Sequence, residues 1–200
     1  LNKAGLPQST GVSEKIGDQQ ADCMLGWNNS FRYKNFALSF QIDGRLGGDI
    51  YSYTNYALQI AGRAECTAPG GMRENFVVDG VIAQQDGTYA PSTIKVSQQD
   101  YWQAIGTGNT GIGEANIYDA TNIRLRNIAL NYSFPSSMLK KTIFQQLKLG
   151  FSVNNVWMIY SDMNGIDPEA VFITNTNATG FENCASPTSR SYLFNVTLGF

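Results

Sequence analysis

The dominant regularity in this chain is an alternation of apolar and polar positions with a period of two, strongest at its C-terminal end. Tyr192, Phe194, Val196, Leu198 and Phe200 alternate with Leu193, Asn195, Thr197 and Gly199. That period predicts a strand over 188–200 with one apolar face and one small or polar face. Leu147, Leu149, Phe151, Val153 and Trp157 stand in the same way against Lys148, Gly150, Ser152 and Asn154, predicting a strand over 146–160. Cys23, Leu25, Trp27, Phe31 and Tyr33 share one parity, interrupted at Asn29, and Phe36, Leu38, Phe40 and Ile42 repeat it after Lys34–Asn35. Residues 22–33 and 36–43 are therefore expected to form a two-strand hairpin. A further strand is expected over 119–134, where Ile128, Leu130, Tyr132 and Phe134 keep one parity while Ile123 and Leu125 take the other. Two readings accommodate that switch: a bulge near Arg126–Asn127, or Arg124 and Arg126 facing outward at a membrane rim and snorkelling.

The connections alternate in length. Those at 34–35 and 135–145 are short, the second holding a helical turn after Pro135. Those at 44–118 and 161–187 are long and polar. Within the first long connection, Tyr53, Tyr56, Ala57 and Ile60 fall at helical spacing and predict a helix over 50–64. A second helix is expected near 97–105 with Ser97 as its N-cap. The rest of 65–117 is rich in Gly, Gln, Asp and Thr, and a loop of that length inside a compact domain is usually functional. Residues 1–21 read as loop.

Composition narrows the choice of solvent for the apolar faces. Charged residues are only 15% of the chain, below the roughly 25% usual in soluble domains, while aromatics reach 12%. The net charge of −2 leaves no basic footprint for nucleic acid. The longest apolar run is Val156–Tyr160, far short of the ~20 residues of a membrane helix. A membrane β-barrel shows no such run, because every second residue of each span faces the lumen and is small or polar. Eleven residues rising ~3.4 Å each and tilted ~45° cover roughly 26 Å, close to the ~25 Å apolar band of such barrels. The expected fold is all-β: an antiparallel transmembrane β-barrel segment with short turns at the periplasmic end and long extracellular loops containing short helices. The alternative is a secreted β-sandwich that binds carbohydrate through loop aromatics. The chain opens on Leu1 without a signal pattern and reads as a piece of a longer protein.

Four segments, in order, resemble one family. FRYKNFALSFQIDGRLGG at 31–48 is similar to a hairpin motif of the SusC/RagA family of TonB-dependent outer-membrane transporters. IRLRNIALNYSFP at 123–135 is similar to that family's strand with two basic residues. Asn155–Val156–Trp157 with Gly165–Ile166–Asp167–Pro168–Glu169 resembles a third block. Arg190–Ser191–Tyr192 and the terminal Phe200 resemble the closing strand. The resemblance runs from about residue 22 to the end. It implies that 22–200 are about the last five strands of a plugged barrel of about 22. It also implies a bacterial outer-membrane location and uptake of glycan or peptide with a SusD-like surface lipoprotein. TonB would act through parts of the protein outside this chain. No cofactor and no enzymatic activity are implied. The lipid-facing set would be Phe36, Leu38, Phe40, Leu147, Leu149, Phe151, Phe194, Val196 and Leu198, touching outer-membrane lipid, with Phe200 as a terminal assembly signal. Tyr51, Tyr53, Tyr56, Tyr89, Tyr101 and Trp102 would lie in the outer loop, either contacting substrate or the lid protein or forming the loop's own core.

Other chemistry is weakly marked. Gly106, Gly108 and Gly111 satisfy GxGxxG but lack the preceding strand and following helix that would seat a phosphate, so they read as loop. Asp162, Asn164, Asp167 and Glu169 offer oxygen ligands, but not in EF-hand order, and a turn set by Gly165 and Pro168 accounts for them. Asp167 with Glu169, or Asp43 with Asp49, would be the carboxylate pairs available to a glycosidase. The absence of histidine removes the Ser–His and Cys–His nucleophile systems. Three cysteines without a CxxC pair argue against a metal site. Cys66 and Cys184, both in long outer loops, are a candidate disulfide, and Cys23 reads as a small apolar residue near the wall.

Overall fold

A computed structural model describes residues 1–106, 111–163, 165–171 and 176–200. They fall into two compact units. The sheet unit comprises Gln20–Gly48, Asp119–Ala170 and Ser186–Phe200, and the loop unit Leu1–Gln19, Asp49–Tyr118 and Val171–Ala185.

The sheet unit is built on five antiparallel strands: β1 (Cys23–Tyr33), β2 (Phe36–Leu46), β9 (Asn122–Ser133), β10 (Gln146–Ser161) and β12 (Ser191–Gly199). They lie in the order β1-β2-β9-β10-β12, so β1 and β12 are the edges of an open sheet. Lys34, at φ 51°, turns the chain between β1 and β2. A short helix α3 (Ser136–Leu139) lies in the connection between β9 and β10. Both of these short connections leave one end of the sheet, and the long ones leave the other.

Register sorts the side chains by face. One row runs Phe31, Leu38, Leu130, Phe151, Phe194, and the next runs Tyr33, Phe36, Tyr132, Leu149, Val196. On the opposite face the rows run Ser30, Ser39, Ala129, Ser152, Leu193 and Arg32, Ala37, Asn131, Gly150, Asn195. Aromatic pairs knit the apolar face, with ring centroids 4.6 Å apart for Phe36–Tyr132 and 4.8 Å for Phe151–Phe194. No second layer covers that face among the described residues. Phe194 is 80% exposed, Val196 62% and Leu198 45%. Phe36, Leu38, Leu149 and Phe151 are also exposed, and Phe40 and Leu147 are half-buried.

The parity switch in β9 is a bulge. Gln41 pairs with Asn127 and Ile42 with Leu125, leaving Arg126 as an extra residue. Asn127 pairs with Asn154 and Leu125 with Trp157, so Asn155 and Val156 of β10 swell at the same level. Leu125 therefore shares the apolar face with Ile128 despite its odd spacing, and Arg124, opposite Asp43, points to the polar face. This excludes the outward, snorkelling reading of Arg124 and Arg126.

The loop unit has its own small core of Ile50, Val78, Val96 and Ile105. β3 (Asp49–Ser52) lies centrally in a three-stranded sheet, between β8 (Ile117–Asp119) and β11 (Phe181–Glu182). Two two-stranded ladders add β4 (Phe76–Val77) with β7 (Lys95–Val96), and β5 (Val81–Ala83) with β6 (Tyr89–Pro91). Helix α2 (Gln98–Ile105) starts where expected, with Ser97 Oγ accepting from Asp100 N. Helix α1 is shorter than the expected 50–64, covering Tyr53–Ile60 behind an N-cap at Ser52. Residues 49–52 are strand instead: Tyr51 and Ser52 pair in parallel with Phe181 and Glu182, a partner some 130 residues away that no local spacing announces. No helix among the described residues is long and apolar enough to cross a membrane.

Candidate functional site

In the sheet unit, three of the four family-like blocks converge at the end where the long connections leave. The β9 bulge sends Arg124 and Arg126 to the polar face, and the 162–171 segment brings Asp167 and Glu169 onto them. Arg124 Nη2 donates to Asp167 Oδ1, and its Nη1 donates to Thr188 Oγ1 at 3.0 Å. Asp167 Oδ2 also accepts from Thr188 N at 2.9 Å and Thr188 Oγ1 at 2.7 Å. Arg126 grips both oxygens of Glu169 at 2.5 and 2.8 Å, while its Nε donates to Asp43 Oδ2 at 2.8 Å. Asn155 completes the set. It sits at φ 50°, a left-handed conformation that Asn tolerates well. Its Oδ1 accepts from Arg126 and its Nδ2 donates to Ser189 O at 2.8 Å.

The Arg124–Asp167 pair is nearly dry, with side chains 6% and 9% exposed. Burial alone would push the Asp167 carboxyl up. The Arg124 guanidinium and the Thr188 hydroxyl and amide outweigh burial and hold it well below the usual carboxylate range. A carboxylate so held has no proton to give at neutral pH, and Glu169 and Asp43 are both occupied by Arg126. This cluster is a clasp that ties 165–169 and 187–190 to the sheet, not an acid–base pair for glycoside cleavage. The same ties account for two of the four oxygen ligands considered for calcium; Asn164 lies outside the described residues. Among the described residues no group of three or more His, Cys, Asp or Glu is placed to hold a metal ion. The clasp was not derivable from the strand pattern, though the sequence does carry its signals: two arginines at a parity switch, and an acidic pair around Pro168.

In the loop unit, five of the six aromatic candidates form two clusters and a separate pair. The Tyr53 and Tyr56 rings lie 5.2 Å apart on α1, and Tyr56 Oη donates to Gly106 O at 2.7 Å. Tyr101 stands edge-on between Phe76 and Trp102, 5.1 Å from each. Tyr51 on β3 lies 6.0 Å from Phe181. Burial pushes the Tyr51 and Tyr101 phenols above their ordinary value. Tyr89, on β6, is 72% exposed. Between α1 and α2 is a cavity of 240 Å³ beside Trp102. Glu182, 1% exposed, fastens β11 to the start of α1. Its oxygens accept from Ser52 Oγ at 2.9 Å, Thr54 N at 3.1 Å and Thr54 Oγ1 at 2.5 Å. Cys66 and Cys184 are exposed free thiols, so the disulfide considered between them is not formed in this structure, and Cys23 is a free thiol as well. Gly108 of the GxGxxG match lies outside the described residues.

No family model matches the chain. Among curated proteins it is 27% identical over 197 residues to TonB-dependent receptor P3 of Formosa agariphila, covering 96% of this chain and 18% of that protein. It is 29% identical over 187 residues to TonB-dependent receptor P39 of the same organism, covering 92% of this chain and 17% of that one. The chain thus spans less than a fifth of the length of these relatives. Its fold is similar to chains in structures of the RagAB peptide importer. The "closed-closed" state gives a TM-score of 0.60 at 15% identity over 94% of this chain and 18% of that one. The "open-open" state gives 0.58 at 15% identity over 88% of this chain and 17% of that one. Over nearly all of its length this chain is thus similar in sequence to TonB-dependent receptors, and its fold is similar to that of chains of the RagAB peptide importer.

Proposed function

We propose that this chain supplies part of the wall and outer mouth of a TonB-dependent importer, as about the last five strands of its barrel. The observation that carries this reading is the sheet's open apolar face. Two cross-strand rows of aromatic and aliphatic side chains, ending in Phe194 at 80% exposure, have no covering layer among the described residues. Hydrocarbon is the solvent in which such a face is stable, and the small and polar rows behind it suit a water-filled or plugged lumen. The unpaired edges of β1 and β12 would then be closed by neighbouring strands of the same barrel. A secreted β-sandwich would need the apolar face sealed by a second sheet. The lipid-facing residues are those of the expected set, Phe36 to Leu198, with Phe200 near the periplasmic rim as the assembly signal. The long connections form the outer mouth, where a SusD-like lipoprotein would act as lid. Cargo would be glycan or peptide fragments. The chain performs no chemistry on them, and TonB would pull on parts of the protein outside it.

Two neighbouring substitutions in the full-length protein test the facing. Val196→Arg puts a charge on the apolar face and should cost about 2–4 kcal/mol near the bilayer midplane, lowering the amount of assembled barrel in the outer membrane. Thr197→Arg, on the other face, should assemble as the unmodified protein does. Equal yields of the two variants would remove the lipid-facing assignment.

A further inference from the structure

The short-turn end of the sheet unit carries charge of one sign. Residues 23–42, 125–161 and 187–200 hold the sheet from the bulge down to that end, with both short connections, and they contain no Asp or Glu. Arg32, Lys34, Lys140, Lys141 and Lys148 all lie toward it. The acidic residues of the unit, Asp22, Asp43, Asp119, Asp162, Asp167 and Glu169, belong to the opposite end. Register sends Arg32 and Lys148 to the polar face, in rows with Asn131 and Thr197. Lys34, Lys140 and Lys141 lie in the two turns themselves. All three are exposed, and none has a carboxylate partner among the described residues.

A band of aromatic rings marks the level just inside these lysines. Tyr33, Phe36 and Tyr132 share a row of the apolar face. The Tyr132 ring lies 4.9 Å from that of Phe134, and Phe144 lies 5.3 Å from Phe200. Such rings sit at the headgroup level of a membrane barrel. Lys34 follows Tyr33 directly, with its Nζ 5.4 Å from that ring's centre, and Lys140 and Lys141 fall between Phe134 and Phe144. Backbone hydrogen bonds hold both turns against the strand ends: Ser133 N donates to Asn35 O at 2.9 Å, and Gln145 N to Gly199 O at 2.7 Å. Leu139 is buried, whereas Met138 and Ile143, on either side of the lysine pair, are exposed, Ile143 at 76%. Apolar side chains standing open beside unpaired cations fit a partner that is greasy and anionic at once. A soluble anion offers nothing to Ile143, and a lipid without net charge brings its own cation to the lysines.

We propose that the two short turns form a docking surface for anionic phospholipid of the periplasm-facing leaflet, with Lys34, Lys140 and Lys141 on headgroup phosphates and Met138 and Ile143 at the acyl boundary. The surface continues the apolar face of the sheet, so one lipid meets both. It rests on the importer reading, because only a sheet seated in a membrane brings this end to a leaflet. Each lysine held near an anionic surface favours association by roughly fivefold.

Hydrogen exchange reads this surface locally. The full-length protein is reconstituted in vesicles of phosphatidylcholine alone or of phosphatidylcholine with phosphatidylglycerol. Peptides covering 136–145 should gain roughly fivefold or more in protection with phosphatidylglycerol, and high salt should reduce the gain. Lys34→Gln with Lys140→Gln and Lys141→Gln should abolish it, and arginine at the same three positions should keep it. Equal exchange in the two vesicles overturns the proposal, as does a gain that the glutamine variant retains. A gain reproduced in phosphatidylcholine by soluble glycerol 3-phosphate would mark a site for a free anion and overturn it, and so would one produced by poly-glutamate but not by phosphatidylglycerol, which would mark an acidic protein. Failure of the importer reading would show instead as equal yields of the Val196 and Thr197 variants.

Discussion

Removing the Asp167 carboxylate should open the clasp, and the size of the effect follows from what is left behind. In Asp167→Ala, Arg124 stays buried at 6% exposure and, among the described residues, keeps Glu169 at 3.5 Å as its ion-pair partner. Breaking one partner from a buried ion pair typically costs about 3–5 kcal/mol. Glu169 compensates in part, which places this case near the lower end, about 3 kcal/mol. Two backbone amides, Thr188 N and Glu169 N, lose their acceptor as well. Because the clasp ties down 165–169 and 187–190, the loss should appear as local opening, not global unfolding. Hydrogen exchange on the full-length protein in detergent is the direct assay. Peptides covering 165–171 and 186–190 should lose roughly a hundredfold in protection, while β1 and the β1–β2 turn should not change. Arg124→Met with Asp167→Ala should lose less than the two single variants added together, since the pair is then removed whole. If each single variant cost under about 0.5 kcal/mol and the double were additive, the buried pair would not be holding the segment, and the reasoning would fail.

Three further outcomes follow from the same structure. Asp167 has its pKa depressed in the folded protein, so its contribution is complete above the ordinary carboxylate value of 3.8 and is lost as pH falls below that toward the folded value; exchange protection at 186–190 should hold from pH 7 to about 5 and decline under stronger acid, and a decline centred near neutrality would contradict this. Gly47 sits at φ 71°, where an added Cβ would also collide with the Asp22 carboxylate. Gly47→Ala should therefore destabilise the β2 end by about 1–2 kcal/mol in urea titration, and an unchanged midpoint would refute the strain. In the loop unit, Glu182→Gln keeps the shape but exchanges a charged acceptor for a neutral one at the start of α1. A loss of about 1–2 kcal/mol in local protection at 53–56 is expected, and none at all would show that Ser52 caps the helix unaided.

How much was legible in the sequence depended on how local the cause was. The strands at 36–46, 146–161 and 191–199 follow from alternation that each segment carries by itself, and α2 follows from Ser97 and a helical spacing. The bulge was visible only as a contradiction between Ile123–Leu125 and Ile128–Leu130. Choosing between its two readings needed the partner strands. β3 escaped because its pairing partner lies at 181–182, and four residues before a helix look like more helix. The acidic residues show the same limit for chemistry. Asp167 and Glu169 look alike whether they bind calcium, protonate a sugar or neutralise an arginine, and only Arg124 and Arg126, some 43 residues away, decide which. The cavity beside Trp102 has no sequence signal, since its walls come from two helices and the segment between them.

The extra residue at Arg126 offsets the parity of β9 by one position. Deleting Arg126 would remove the bulge and leave a plain ladder in which Leu125 still pairs with Ile42 and Arg124 with Asp43, so both faces of the strand would keep their side chains. What would go is the guanidinium that holds Glu169 and Asp43. The extra residue therefore contributes to the fastening of the 165–169 segment, and the sorting of side chains between the two faces does not depend on it.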